Sequence, residues 1–242
     1  MTLPFEMKFL DASSLADLLE LQSIVSANLP CPEIFILHED EYFQEALRVD
    51  RSVLGVTAGE KLIAFSIIAI PGLSDENLGK DINLPKDELV NVAHLQAAAV
   101  HPGYRGNGLQ RKLTFAHLHV ISEIGYNHAC CTVSPKNPVS LGNYLYCGLK
   151  IEWLCPKRNG WWRFILHKEI LKENPLLREK STDRRQSGME DNLMAHRDEN
   201  GIEIREIAIS DIEGQLDLLS KGFKGFRISS HSDGLKLSYA RF

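Results

Sequence analysis

Three glycines stand close together in His101-Pro102-Gly103-Tyr104-Arg105-Gly106-Asn107-Gly108, and a segment with helical apolar spacing begins at once at Leu109. A helix starting there points its free first-turn N–H groups back into the loop, and its dipole adds positive potential. Glycines let a phosphate approach the backbone, so the chemistry that fits is binding of a pyrophosphate. Two other glycine-rich readings fail. The dinucleotide fingerprint G-x-G-x-x-G needs a glycine three residues after Gly108, where Arg111 stands. The phosphate loop G-x-x-x-x-G-K-S/T has no match. On composition alone a plain turn is the favoured reading.

Other reactive residue types offer less. His117 and His119 are two apart on the same helical segment, so they diverge, and H-E-x-x-H is absent. No metal is expected. The five cysteines are an odd number, and no pair has C-x-x-C spacing. Reduced thiols in a cytoplasmic protein are the simplest reading. The aromatic and basic residues between Lys157 and Arg163 read as a hairpin with buried tryptophans. A nucleic-acid face would need a wider basic surface. The net charge of -5 and the lack of a basic tract argue against nucleic acid and anionic membranes as partners. The start of the chain lacks the pattern of a signal peptide, and no stretch approaches the ~20 apolar residues of a membrane span.

The elements that must position the loop follow from periodicity. Phe5 to Leu10 reads as a strand, and Ser13 or Ser14 can cap the helix after it. A shorter helix spans Glu39 to Val49. Ser52 to Ala58 and Leu62 to Pro71 read as strands, followed by a long polar loop from Gly72 to Asp87. Leu89 to Val100, rich in Ala and Val, reads as a buried central strand ending at His101-Pro102. The helix after the loop has Leu109, Leu113, Ala116, Val120 and Ile124 at spacings of three or four, and Gly125 ends it. His128 to Val133 is the next strand. Asn137 and Pro138 then open a helix that Gly148 closes. Ile151 to Cys155 and Trp161 to His167 pair across Asn159-Gly160. Strands alternate with helices around one buried strand, which predicts a mixed α/β domain over residues 1–171.

Residues 172–200 are polar and charged, with the composition of a linker. Residues 201–242 regain pattern: Ile202, Ile204 and Ile207 alternate with charge, and Ser210 with Glu213 predicts a capping box. A hairpin around Asp233-Gly234 follows. These residues read as a small α+β appendage.

Two motifs carry a family resemblance. Val100 to Gln110 resembles the CoA-binding segment of the GNAT superfamily of acyl-CoA N-acyltransferases: Arg or Gln, two residues, Gly, one residue, then Gly or Ala. Arg105 and Gly108 match, and Gln110 stands where Gly or Ala is usual. A second pattern of that family, N-x-x-A/S-x-x-x-Y-x-x-x-G-F/L, is met in register by Asn137, Ser140, Tyr144, Gly148 and Leu149. The resemblance covers about residues 1–170. It implies a GNAT-like mixed central sheet flanked by helices, and acetyl-CoA as cosubstrate without a metal.

By the same resemblance, Arg105, Gly106, Asn107, Gly108, Leu109 and Gln110 would hold the pyrophosphate. Ala98 and Val100 would pair their main chain with pantetheine, with the Val100 N–H as oxyanion donor. Asn137 would contact the pantetheine arm, near Ser140, and Tyr144 would protonate the departing thiolate, with Tyr146 as fallback. Each has a plainer reading as a cap or a packing residue. Some family members place a base on the central strand six positions before its last apolar residue. Here that position is His94, whose ordinary pKa of about 6.5 suits the task. Alternation puts His94 on the face of Gln96, Ala98 and Val100 unless a bulge intervenes.

The implied reaction is direct transfer of acetyl to a small-molecule or peptide amine within a ternary complex. The alternative is a CoA-binding sensor or interaction module with the same fold and little turnover. The acidic residues of the 72–88 loop are candidates to attract a cationic amine. The 201–242 appendage is a candidate to cover the acceptor side or to form a homodimer.

Overall fold

The computed structural model describes residues 4–170 and 203–242. The expected polar linker lies outside them. Fifteen regular elements are described, alternating much as the periodicity predicts. They are β1 (Phe5–Phe9), α1 (Leu15–Ala27), α2 (Asp40–Arg48), β2 (Val53–Ala58), β3 (Lys61–Ala69), β4 (Val92–Val100), α3 (Leu109–Glu123) and β5 (His128–Val133). After these come α4 (Pro138–Tyr146), β6 (Lys150–Lys157), β7 (Trp161–Glu169), β8 (Ile204–Ala208), α5 (Ile212–Ser220), β9 (Lys224–His231) and β10 (Gly234–Ala240). All ten strands join one sheet in the order β1-β2-β3-β4-β5-β7-β6-β9-β10-β8. Every pair is antiparallel except β4 with β5.

Helices cover both faces. On one, Leu18, Leu21 and Phe43 of α1 and α2 pack on Phe65, Ile67, Ala97 and Ala99. On the other, Leu118 and Ile121 of α3 and Leu141 and Tyr144 of α4 pack on Ala93, Leu95, Cys131 and Val133. That second core runs on without a break into Leu219, Phe223, Leu237 and Tyr239. The seam between β6 and β9 is tight. Gly225 faces Ile151, and a Cβ at Gly225 would stand 2.8 Å from its Cδ1. Among the described residues no helix is long and apolar enough to cross a membrane.

Some local signals resolve differently from the sequence patterns. Asp11, not Ser13 or Ser14, supplies the cap before α1, accepting from the Ser13 N–H at 2.9 Å within a short 3-10 turn. Asp211 takes the capping position of α5 by accepting from the Gly214 N–H, so Ser210 and Glu213 form no capping box. Both are carboxylates, which rank level with serine as caps and accept a charge-assisted hydrogen bond when ionised. Leu89–Asn91 forms a 3-10 turn, so the central strand begins at Val92. The Asn159-Gly160 turn forms with both residues at positive φ, but Trp162 is exposed and Arg163 is the buried residue of the 157–163 segment.

Candidate functional site

The position of the site follows from one pairing. β4 and β5 run parallel and pair only from Val92↔His128 to His94↔Cys130. Beyond that point the strands part, although β4 continues to Val100 and β5 to Val133. The gap opens a cavity of about 880 Å³, lined by Leu95 to Val100 on one side and Cys131 to Ser134 on the other. That volume is at the large end of ligand sites.

The gap-side backbone of β4 has no strand partner there. The His101 N–H donates to Ile63 of β3 at 2.8 Å. Backbone groups alternate sides along a strand, so the N–H groups of Val100 and Ala98 point away from β3 and into the gap. Two unpaired N–H groups at a cavity wall need a ligand or water.

The cavity reaches the start of α3. Gly106 and Gly108 have φ of 84° and 68°, and an added Cβ at either would meet nothing within 4 Å. Glycine is needed there for backbone conformation rather than for space. Gly108 is the N-cap of α3 and offers no side-chain cap, so the first-turn N–H groups are left for another acceptor. Tyr104, Arg105, Gly106, Gly108, Leu109, Gln110 and Arg111 all line the cavity. Asn107 stands outside the lining and braces the loop, donating to the Tyr104 carbonyl at 3.0 Å. Leu109 is buried and packs with Ile63, Ala64 and Leu113.

Gln110, the departure from the family pattern, has a structural partner. Its Nε2 donates to Ser140 Oγ at 2.7 Å, and its Oε1 accepts from Asn143 at 2.7 Å. Arg111 Nε donates to Asn143 Oδ1 at 2.8 Å. The side chain therefore ties the start of α3 to α4. Asn137 caps α4 by accepting from the Ser140 N–H at 3.1 Å, with Pro138 at the first helical position. Asn137, Ser140 and Tyr144 line the cavity from this second helix.

Tyr144 is 6% exposed, and burial raises its pKa, with Gln110 acting in the opposite direction. The phenol therefore holds its proton at neutral pH. Tyr146 is exposed and lies under the Arg111 guanidinium at 4.0 Å, outside the cavity lining.

The base expected at His94 meets two obstacles. The β3–β4 register shifts between Ile67 and Ile68, which leaves Gln96 as the extra residue of a bulge. The bulge reverses the alternation. Leu95 packs toward α3 and α4, whereas Ala97 and Ala99 pack toward α1 and α2. His94 therefore shares the face of Ala97 and Ala99, not that of Ala98 and Val100. Second, His94 Nε2 accepts the Leu78 backbone N–H at 3.1 Å. The lone pair a base would use is already engaged, and the ring anchors the 72–88 loop. Asn77 completes the anchor, donating to the carbonyls of Gly72 at 2.6 Å and Leu89 at 2.9 Å.

Burial, aided by Lys157, pushes the His94 pKa down to about 4. Burial acts the same way on His38, also to about 4 with Arg158 contributing, and on His117, to about 3. Histidines held neutral in the fold bind protons more readily once unfolded, so stability rises with pH between about 4 and 6.5 and falls on acidification through that window. Replacing His94 with Gln keeps an acceptor for Leu78 but removes one titrating group. We expect His94→Gln to lose less thermal stability than the native chain between pH 7 and pH 5, while the acidic limb of kcat/KM stays in place. Disappearance of that limb together with a large rate loss would restore His94 as the base.

The sequence did not single out several residues that the fold brings to the cavity. Gln22 exchanges two hydrogen bonds of 2.9 Å with the His38 backbone, which sets Leu29 to His38 as a wall. Lys136, Lys157, Arg158 and Arg163 join Arg105 and Arg111 in the lining, against Glu76 as its one carboxylate among the described residues. A cavity of this sign favours an anionic ligand. Of the acidic loop, Asp81 pairs with Lys157 at 2.6 Å, Asp75 with Lys80 at 2.9 Å and Glu88 with His128 at 3.2 Å. Only Glu76 of that loop's acids reaches the cavity.

No protein-family model matches the chain, and no curated protein matches it. Solved structures do. The ribosomal-protein-S18-alanine N-acetyltransferase from Escherichia coli is 17% identical over 71% of this chain and 98% of its own, with a TM-score of 0.52. A putative acetyltransferase from Salmonella typhimurium, solved with its cofactor acetyl-CoA, is 13% identical over 69% and 95%, with a TM-score of 0.55. An acetyltransferase of the GNAT family from Streptococcus pneumoniae is 16% identical over 69% and 100%, with a TM-score of 0.53. The chain has the GNAT fold, a mixed sheet flanked by helices as the sequence motifs imply.

Proposed function

We propose that the protein transfers the acetyl group of acetyl-CoA to a primary amine, directly and within a ternary complex. The observation that carries this reading is the single cavity that joins three features: the parted edge of β4, the uncapped N-terminus of α3, and Tyr144. The solved structures similar to this chain include acetyltransferases, one of them holding acetyl-CoA, which supports the same reading.

Each residue then has a task. The first-turn N–H groups of α3, with Arg105, hold the pyrophosphate, and Gly106 and Gly108 give the backbone its approach. Ala98 and Val100 receive the extended arm on the open edge of β4, as a strand edge receives a peptide. Asn137 fixes the start of α4 through its Oδ1, and its Nδ2 donors serve the pantetheine arm. The amine nitrogen bonds to the thioester carbonyl carbon, and the carbon–sulfur bond breaks. As charge gathers on the carbonyl oxygen, the Val100 N–H donates to it. Tyr144 gives its proton to the leaving sulfur. An alkylammonium, with a pKa of about 10.4, must first lose a proton. His94, engaged with Leu78, does not take it, which leaves solvent or the Glu76 carboxylate of the 72–88 loop as the acceptor.

The test is a pair of measurements on the full chain. Acetyl-CoA raises the melting temperature, and primary amines then release free CoA thiol in step with acetylated amine seen by mass spectrometry. Acetyl-CoA binding without amine-dependent thiol release across a broad panel would leave a binding module and end the enzymatic reading.

A further inference from the structure

The cavity has a second end, on the face of the sheet opposite the α3 cradle. Ala97 and Ala99 pack toward α1 and α2, and Leu29 and Phe35 pack in the same cluster. Val25, Leu29, Ile34 and Phe35 give this end apolar walls. Its cations differ in how they are satisfied. Lys157 is paired with Asp81, and Lys136 with Glu33. The Arg158 guanidinium has no hydrogen bond or ion pair among the described residues, yet Arg158 lines the cavity and its charge is felt at His38.

Arg163 is 4% exposed and donates only to backbone carbonyls, those of Glu33 at 2.7 Å and Trp162 at 3.1 Å. No carboxylate lies within ion-pair distance of it among the described residues. A guanidinium offers five N–H donors, so most of this one's capacity is unspent. The Glu33 carboxylate acts on it only from beyond ion-pair distance and is itself paired with Lys136, so burial of this cation is costly and an arriving anion relieves part of that cost. Glu76 is the cavity's one carboxylate among the described residues.

We infer that the acceptor is an amine carrying a free carboxylate on an apolar body, an apolar α-amino acid being the simplest, with the carboxylate taken by Arg158 and Arg163. The ammonium group faces the carboxylate of Glu76 and the side chain lies among Val25, Leu29, Ile34 and Phe35. This rests on the acetyl-transfer reading and names its substrate class. It replaces the notion of an acidic loop that draws in a simple cation, because Asp75, Asp81 and Glu88 are spent on partners within the chain.

The experiment compares phenylalanine and leucine with their carboxamides, which keep amine and side chain but lose the anion. The acids are expected to exceed the amides in kcat/KM by roughly tenfold or more, as a charge-assisted bidentate contact warrants. In Arg158→Gln, the KM of the acids rises about tenfold and the gap closes, while the acetyl-CoA melting shift is kept. Equal kcat/KM for acids and amides, or a gap unchanged in Arg158→Gln, overturns the inference. A second measurement does not depend on turnover. N-acetylphenylalanine and N-acetylleucine, titrated calorimetrically into CoA-saturated protein, bind more tightly than their carboxamides. Equal affinity, or binding of neither, also overturns it. Preferential binding of the acids in a protein that acetylates no amine upholds the anion site and counts against acetyl transfer alone.

Discussion

Tyr144→Phe lowers turnover by roughly 10²- to 10⁴-fold while acetyl-CoA still binds. The substitution keeps the ring, which sits in the core between α4 and the sheet beside Leu141 and Cys131. It removes only the hydroxyl, so packing and volume are preserved. What is lost is the proton donor. Expulsion of a thiolate from an amine adduct is slow when the sulfur leaves as an anion into a cavity of restricted solvent. A phenol that keeps its proton at neutral pH can supply it at the moment of bond cleavage. The measurement is kcat with a fixed amine, together with the acetyl-CoA melting shift. A near-normal kcat would return Tyr144 to a packing role and leave solvent as the donor. An unchanged melting shift beside a collapsed kcat isolates the hydroxyl as the cause.

The parts of this site that were legible in the sequence are those with local causes. Gly106 and Gly108 need positive φ, Asn137 caps with Pro138 after it, and Gly148 closes α4 at φ 87°. Each is set by its own backbone, so residue type alone reveals it. What the sequence hid depends on partners far along the chain. The bulge at Gln96 exists only in the register of β4 against β3, and it decides which way His94 points. Leu78 claims that ring from 16 residues away. Arg163 reads as one residue of an aromatic hairpin until the Glu33 carbonyl, 130 residues earlier, is found on its guanidinium. Joining of β9 to β6 likewise rests on Gly225 meeting Ile151, which no periodicity announces. Chemistry-bearing motifs were local and strands were periodic, whereas orientation at the site came from register.

Gly108→Val abolishes the melting shift that acetyl-CoA gives the native chain. The native shift is set by linkage: ligand at about 100 times its Kd stabilises by about 2.7 kcal/mol. For a chain of this size that is roughly 5 to 11 °C. Gly108 sits at φ 68° and ψ 15°, a left-handed conformation that a β-branched residue adopts only with strain. Open space surrounds the position, so the Cβ clashes with nothing in the free protein. The harm comes by another route. The backbone relaxes out of the left-handed region, the first-turn N–H groups of α3 lose their aim, and the branched side chain stands where the phosphates approach. General destabilisation must be separated from loss of the site, and the same helix supplies the control. Gly125, just past its far end, has φ 87° and equally open surroundings, and it lies outside the cavity lining. Gly125→Val carries comparable strain, so it lowers the starting melting temperature but keeps the acetyl-CoA shift. Retention of the full shift in Gly108→Val would move the pyrophosphate away from the α3 terminus. Loss of the shift in both variants would mean that helix strain, not the phosphate cradle, governs the response.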